Sequence, residues 1–192
     1  MTKFEINKKV FENFPELESG RLIFRQILLD DSEKLFEIRS NSEVMKFMDV
    51  EPMKSLAEAE NLISSVSESF RIRTGINWGI VEKHSNEFIG YFGFWRIDVK
   101  NCRGEIGYAL HPKFWDKGYM SETLNTLIEY GFNELHLHSI EANVNPYNLS
   151  SIQLLEKVGC KQEAYFKESF LFRTEFKDSI IYSLLKKDFI KT

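Results

Sequence analysis

Apolar positions recur along this chain in two rhythms, an alternation of period two and a stepping by three and four, and the switches between them mark its elements. Residues 21–27, RLIFRQI, read as a first strand, and Asp30 with Glu33 supplies a capping-box start for a helix to about Ser40. Ser55 with Glu58 repeats that signal. Leu56, Ala59, Ile63, Val66 and Phe70 then predict a second helix over 55–72 with one buried stripe. WGIVEK, an HSN turn and FIGYFGFWRIDV form a predicted hairpin rich in aromatic and β-branched residues, and RGEIGYAL adds an antiparallel strand to make a meander. Met120, Leu124, Leu127, Ile128, Phe132 and Leu135 share one face of a third helix, after which SIEANV reads as a strand. Asn148 can cap a short helix to Val158, Gly159 can end it in the left-handed conformation, and strands near 161–171 and 178–185 complete the chain. The predicted order is β-α-α-β-β-β-α-β-α-β-β.

No Pro/Gly/Ser-rich linker, low-complexity tract or internal repeat interrupts these elements, so residues 1–192 are expected to form a single domain of the α/β (α+β) class. Length and a hydrophobic content of 43% suit one well-buried core. The N-terminal MTKFEINKKVFENF carries no signal-peptide core and the apolar runs are short, which predicts a cytoplasmic protein with no membrane partner. A net charge of -4 disfavours broad nucleic-acid binding, which needs a basic face. Cys102 and Cys160 have no CxxC spacing and are expected as reduced structural thiols. His136 and His138 lack acidic or thiol partners nearby, so no metal is expected, and His111 before Pro112 reads as a turn residue.

Candidate chemistry concentrates in WDKGYMSETLNTLIEYGF, residues 115–132, where a glycine loop feeds directly into an amphipathic helix. A helix opening at Gly118 presents unpaired amides and the positive end of its dipole, which suits a phosphate group. On residues alone, Gly118 also fits an ordinary turn glycine. Glu105 alternates onto one face with Gly107 and Ala109, whose small side chains leave room for a substrate, opposite Ile106, Tyr108 and Leu110. A solvated strand carboxylate is the alternative there. There is no GxxxxGK[ST] loop and no GxGxxG after a first strand, which argues against a nucleotide-binding module.

The order of elements, with EIGYALHPKFWDKGYMSETL, the following YGF and NPYNLSSIQLLEKVG, resembles the GCN5-related N-acetyltransferase (GNAT) superfamily over nearly the whole chain, and within it the ribosomal-protein N-terminal (RimJ/RimL-like) branch. That resemblance implies a mixed, mostly antiparallel twisted sheet of about seven strands, splayed between the fourth and fifth to admit coenzyme A. It implies acetyl-CoA as acetyl donor and a primary amine as acceptor. The amine would be a protein N-terminus or a small molecule such as a polyamine, antibiotic or amino acid, and the enzyme a monomer or homodimer. A non-catalytic acyl-CoA-binding member of the fold is the rival reading.

Matched residue by residue, the family's phosphate loop falls on Trp115 to Met120 and keeps only its central Gly118, so the backbone amides of Lys117, Gly118, Tyr119, Met120 and Ser121 are the expected pyrophosphate ligands. Met120, larger than the family's residue, would crowd the phosphate or point into the core. Ala109 and Leu110 would meet the pantetheine arm, with the amide of Leu110 or its neighbour facing the oxyanion. Glu105 matches the family's strand carboxylate and is the expected general base. The helical tyrosine that often protonates the leaving thiolate is replaced by Leu155, and Ser151 is the expected catalytic substitute, with Asn148 holding pantetheine, capping the helix, or both. The Met-rich segment 40–54 is expected to overhang the acceptor, with Met45, Phe47, Met48 and Met53 either contacting it or packing as hydrophobic residues under the loop, and Phe92, Trp95 and Glu105 as further acceptor contacts.

Overall fold

The structure is a computed structural model that describes residues 4–190. Its strands are β1 (Leu17–Glu18), β2 (Leu22–Gln26), β3 (Ile76–Glu82), β4 (Glu87–Asp98), β5 (Arg103–Leu110), β6 (Ser139–Val144), β7 (Lys161–Phe172) and β8 (Glu175–Leu185). The α-helices are α1 (Ser32–Ser40), α2 (Ser42–Met45), α3 (Leu56–Arg71), α4 (Tyr119–Asn133) and α5 (Leu149–Lys157). One eight-stranded sheet runs in the order β1-β2-β3-β4-β5-β6-β8-β7, antiparallel except where β5 meets β6. The eighth strand is β1, which pairs only Leu17 with Phe24 and Glu18 with Ile23 and is too short to alternate. No helix among the described residues is long and apolar enough to cross a membrane.

Two apolar layers cover the sheet. On one face Trp78, Phe92, Phe94 and Ile140 pack with the fully buried Leu124, Leu127 and Ile128 of α4 and Leu155 of α5. On the other, Ile27, Phe88 and Ala109 pack with Leu35 and Ile38 of α1 and Ala59 and Ile63 of α3. The three-and-four spacing of α4 places its apolar stripe on the sheet and leaves its N-terminus at the rim. The spacing in α3 does the same, although Leu56 at its start stays exposed.

The meeting of β5 and β6 decides what this fold can hold. Their parallel register covers three pairs, Arg103 with Ser139, Gly104 with Ile140 and Glu105 with Glu141. Beyond them β5 continues against β4 as far as Leu110, and β6 continues against β8 as far as Val144. The sheet therefore opens from residue 106 onward. The phase of the open edge follows from His111, whose N–H donates to Ile89 O of β4 at 2.8 Å. Alternation along β5 then directs the N–H groups of Tyr108 and Leu110 away from β4 and into the opening. Strand edges inside a sheet that stay unpaired need a partner, and an amide-bearing chain laid between them would provide it.

Candidate active site

At the far end of the opening, Trp115 donates its indole Nε1–H to Leu110 O at 2.8 Å, tying the glycine loop to the last residue of β5. Gly118 has φ +76° and is the N-cap of α4, a left-handed position that glycine occupies without the strain a side chain brings. The first amides of α4 follow at once, with the dipole of a 15-residue helix behind them. Arg21, from the turn before β2, braces this loop. Its guanidinium donates to Lys117 O at 2.9 Å and to Glu122 Oε2 at 2.8 Å, and lies 4.4 Å from the centre of the Tyr119 ring. Met120 is buried in the core, so its side chain leaves the phosphate end clear and only its backbone faces it. The orphan amides, the left-handed glycine and the cleared approach fit a pyrophosphate.

Glu105 sits at the last paired position before the sheet opens, and its residue is 7% exposed. Parallel pairing puts its side chain on the same face as that of Glu141, and across β4 its partner is Arg96, where a bulge skips Trp95. Glu105 Oε2 lies 2.5 Å from Arg96 Nη2, an ion contact without hydrogen-bond alignment, while Arg96 also approaches Glu141 Oε1 at 3.5 Å and Arg103 pairs with Glu141. Burial pushes the Glu105 carboxyl above the ordinary range; Arg96 pulls it back and Glu141 pushes it further up. The half-exposed Trp95 indole lies over Gly107, where an added Cβ would meet it at 3.4 Å. The small residue predicted beside the carboxylate thus seats an aromatic wall.

Asn148 is the N-cap of α5 and accepts the Ser151 N–H through Oδ1 at 3.2 Å, which leaves its amide NH₂ group for any further partner. Ser151 Oγ lies 2.8 Å from the Tyr108 hydroxyl. This pair joins the first turn of α5 to the open edge of β5. Leu155, at the position of the family's acid, is fully buried and contributes nothing polar.

The segment over the Glu105 face is not all loop, because Asn41 caps the short helix α2 by accepting from the amides of Glu43 and Val44. Met48 Sδ accepts from Arg39 Nη1 at 3.3 Å, and the same guanidinium group reaches Tyr91 Oη at 3.1 Å. Met48 and Met53 pack beneath the segment and Met45 is buried, so the methionines serve chiefly as its floor. Asp49 has φ +51° and both carboxylate oxygens lie 3.3 Å from Asn145 Nδ2, just past the end of β6. Phe92 must be removed from the expected acceptor contacts. It is fully buried on the α4 face, parallel to Tyr108, because alternation from Tyr91 turns it away from Glu105.

The structure thus gathers Glu105, Trp95, Ala109 and Met48 on one side of the opening, Ser151 and Asn148 on the other, and the loop at its end. Sequence patterns did not reveal four participants: Arg96 and Glu141 around the carboxylate, Arg21 behind the loop and Tyr108 against Ser151. Among the described residues no cluster of His, Cys, Asp and Glu is arranged to hold a metal ion.

A sheet that parts to take an amide-bearing chain, with a helix N-terminus aimed at the end of the gap, is the architecture of an acyl-CoA-dependent acyltransferase. Residues 21–161 match the family described as the acetyltransferase (GNAT) domain, and the chain belongs to that family of N-acetyltransferases. Over 173 residues it is 36% identical to the uncharacterized N-acetyltransferase YoaA of Bacillus subtilis, covering 90% of this chain and 98% of that one. Several relatives carry named acceptors. The ribosomal protein uS5-alanine N-acetyltransferase of Escherichia coli is 28% identical over 66% of each chain, and the spermidine N(1)-acetyltransferase of Vibrio cholerae 23% over 83% of this chain and 90% of that one. Among solved structures, a GNAT-family acetyltransferase from Bacillus anthracis superposes with TM-score 0.81 at 28% identity, covering 90% of this chain and 99% of its own.

Proposed function

We propose that this enzyme transfers the acetyl group of acetyl-CoA to a primary amine, with a protein N-terminal amine as the acceptor and Glu105 as the base. The observation that carries the reading is the placement of a buried, raised-pKa carboxylate at the residue where β5 leaves β6. The donor supplies an activated thioester. Glu105 takes the proton from the incoming ammonium, directly or through a water, and leaves a neutral amine to attack the thioester carbonyl. The Leu110 amide, directed into the opening, donates to the oxygen that becomes negative in the tetrahedral intermediate. As the C–S bond breaks, Ser151 donates a hydrogen bond to the departing sulfur, which takes up the proton that the nitrogen sheds in forming the amide. The amides from Lys117 to Ser121 hold the pyrophosphate, and Ala109, Leu110 and Asn148 receive the pantetheine arm.

The protein-amine acceptor is supported by the uS5-alanine relative and by the half-exposed Trp95, which offers an apolar wall broad enough for a peptide side chain. The spermidine relative favours a second acceptor class, small polyamines. Thiol release from acetyl-CoA, measured in parallel on peptides with free Ser or Ala N-termini and on a panel of small amines, separates the two. Higher kcat/KM on the peptides is the expected result, and preference for spermidine or another small amine would reassign the acceptor. Saturable coenzyme A binding with no turnover on either class would reduce the protein to a non-catalytic binder.

A further inference from the structure

Ser151 is a weak donor by itself, because a serine hydroxyl rotates freely and its single proton can point anywhere its neighbours allow. We infer that Tyr108 is a positioning residue that fixes the Ser151 hydroxyl toward the leaving sulfur, an inference that rests on the role proposed above for Ser151. The two oxygens are 2.8 Å apart, and among the described residues the Ser151 hydroxyl has no second partner, the serine backbone N–H being held by the Asn148 cap. The tyrosine is rigid. Its ring lies parallel to that of Phe92, with centroids 6.4 Å apart and 4° between planes, and it packs against the α4-side core.

Direction matters in this pair. Burial pushes the Tyr108 phenol up, and the Ser151 contact offsets that only in part, so the phenol stays protonated at any working pH. A neutral tyrosine that donates to Ser151 Oγ occupies a lone pair of the serine and frees the serine proton for a second acceptor. The opening is where that second acceptor would lie, because the pair links Tyr108, on the stretch of β5 that has left β6, to Ser151, in the helix that follows β6. A thiolate departing there would receive the serine hydrogen bond, while no proton need leave the tyrosine. The arrangement replaces the helical tyrosine that Leu155 displaces, using a phenol from the strand acting through a serine from the helix.

The test is a double-mutant cycle on Tyr108→Phe and Ser151→Ala, read as kcat and KM for acetyl-CoA with saturating amine, alongside coenzyme A affinity and thermal midpoint. Tyr108→Phe keeps the ring and removes only the hydroxyl. Each single variant is expected to lose about ten-fold in kcat at unchanged acetyl-CoA KM, and the double variant no more than Ser151→Ala alone. Slow hydrolysis of acetyl-CoA to water breaks the same C–S bond and provides the same readout if no amine acceptor is found. A wild-type rate for Tyr108→Phe, additive losses in the double variant, or a loss matched by weakened coenzyme A binding would each overturn the inference. If Ser151→Ala is itself fully active, the serine's proposed role fails first and the inference with it. If only Ser151→Ala is slow, the serine keeps its role and Tyr108 is structural.

Discussion

At the scale of single residues, the proposed chemistry turns on one buried carboxylate whose charged form burial disfavours. Desolvation alone would favour the protonated form of Glu105, and Arg96 is the cation placed to oppose it. Activity that needs the carboxylate falls as pH drops through its pKa, so the raised value puts the acid limb of the kcat/KM profile above the ordinary carboxylate range. Arg96→Gln removes the opposing charge and should move that limb to higher pH; an unmoved limb would show that Arg96 does not tune the base. Glu105→Gln should lower kcat by about 10²-fold or more with coenzyme A affinity unchanged. It also carries a stability signature. A carboxyl whose folded-state pKa is raised contributes stability below its unfolded value and loses it as pH rises through the folded one. Denaturant unfolding at pH 4 and pH 7 should therefore show the Gln variant gaining on the parent at the higher pH. A variant that loses ground at pH 7 would mean the Arg96 contact outweighs desolvation.

At the scale of elements, the glycine loop depends on one backbone angle and one brace. A Cβ at Gly118 would meet Arg21 Nη2 at 3.5 Å, an ordinary contact, so the penalty for a side chain lies in the φ of +76° and not in a clash. Gly118→Val should cost about 1–2 kcal/mol in unfolding free energy and weaken coenzyme A binding, since the loop must leave its left-handed turn to relieve the strain. Arg21→Ala removes the bond to Lys117 O and the cation over Tyr119, and should raise the KM for acetyl-CoA several-fold at constant kcat. An unchanged KM would make Arg21 a fold residue only. This loop was legible in the sequence because its glycine, flanking strand and apolar helical stripe are all local signals. The brace was not, because Arg21 and Glu122 are 101 positions apart and nothing in either neighbourhood marks the pair. The same limit hides the Tyr108–Ser151 contact: alternation turns Tyr108 away from Glu105, but its hydroxyl's partner lies 43 positions on, in another element. Strand β1 is too short for a period to register, and the bulge at Trp95 shifts the register by one residue without leaving a glycine to announce it.

At the scale of the molecule, opening the sheet has a structural consequence. Three register pairs join the half containing β1 to β5 to the half containing β6 to β8, all at the closed end of the gap. Beyond that end no strand pairing joins the halves, and they are held by the shared core and by contacts across the gap such as Tyr108–Ser151. The segment after α2 adds a second crossing: Asp49 meets Asn145 at the end of β6, and Glu51 receives two hydrogen bonds from Arg173, at 2.7 and 2.8 Å, where the chain turns from β7 into β8. Burial pushes the Asp49 carboxyl up and the Asn145 contact holds it down, so this end of the crossing is semi-enclosed, whereas the Glu51–Arg173 pair is exposed and adds little to folding. Its removal should therefore be read in substrate binding. Arg173→Ala is expected to leave the thermal midpoint and the acetyl-CoA KM unchanged and to raise the KM for the amine, because the segment roofing the Glu105 face loses its anchor on the far half. A peptide that contacts the roof at several positions should feel the loss more than a small amine held at Glu105 alone. Equal effects on both would place the roof's influence on the width of the gap, and no effect on either would confine this ion pair to the surface.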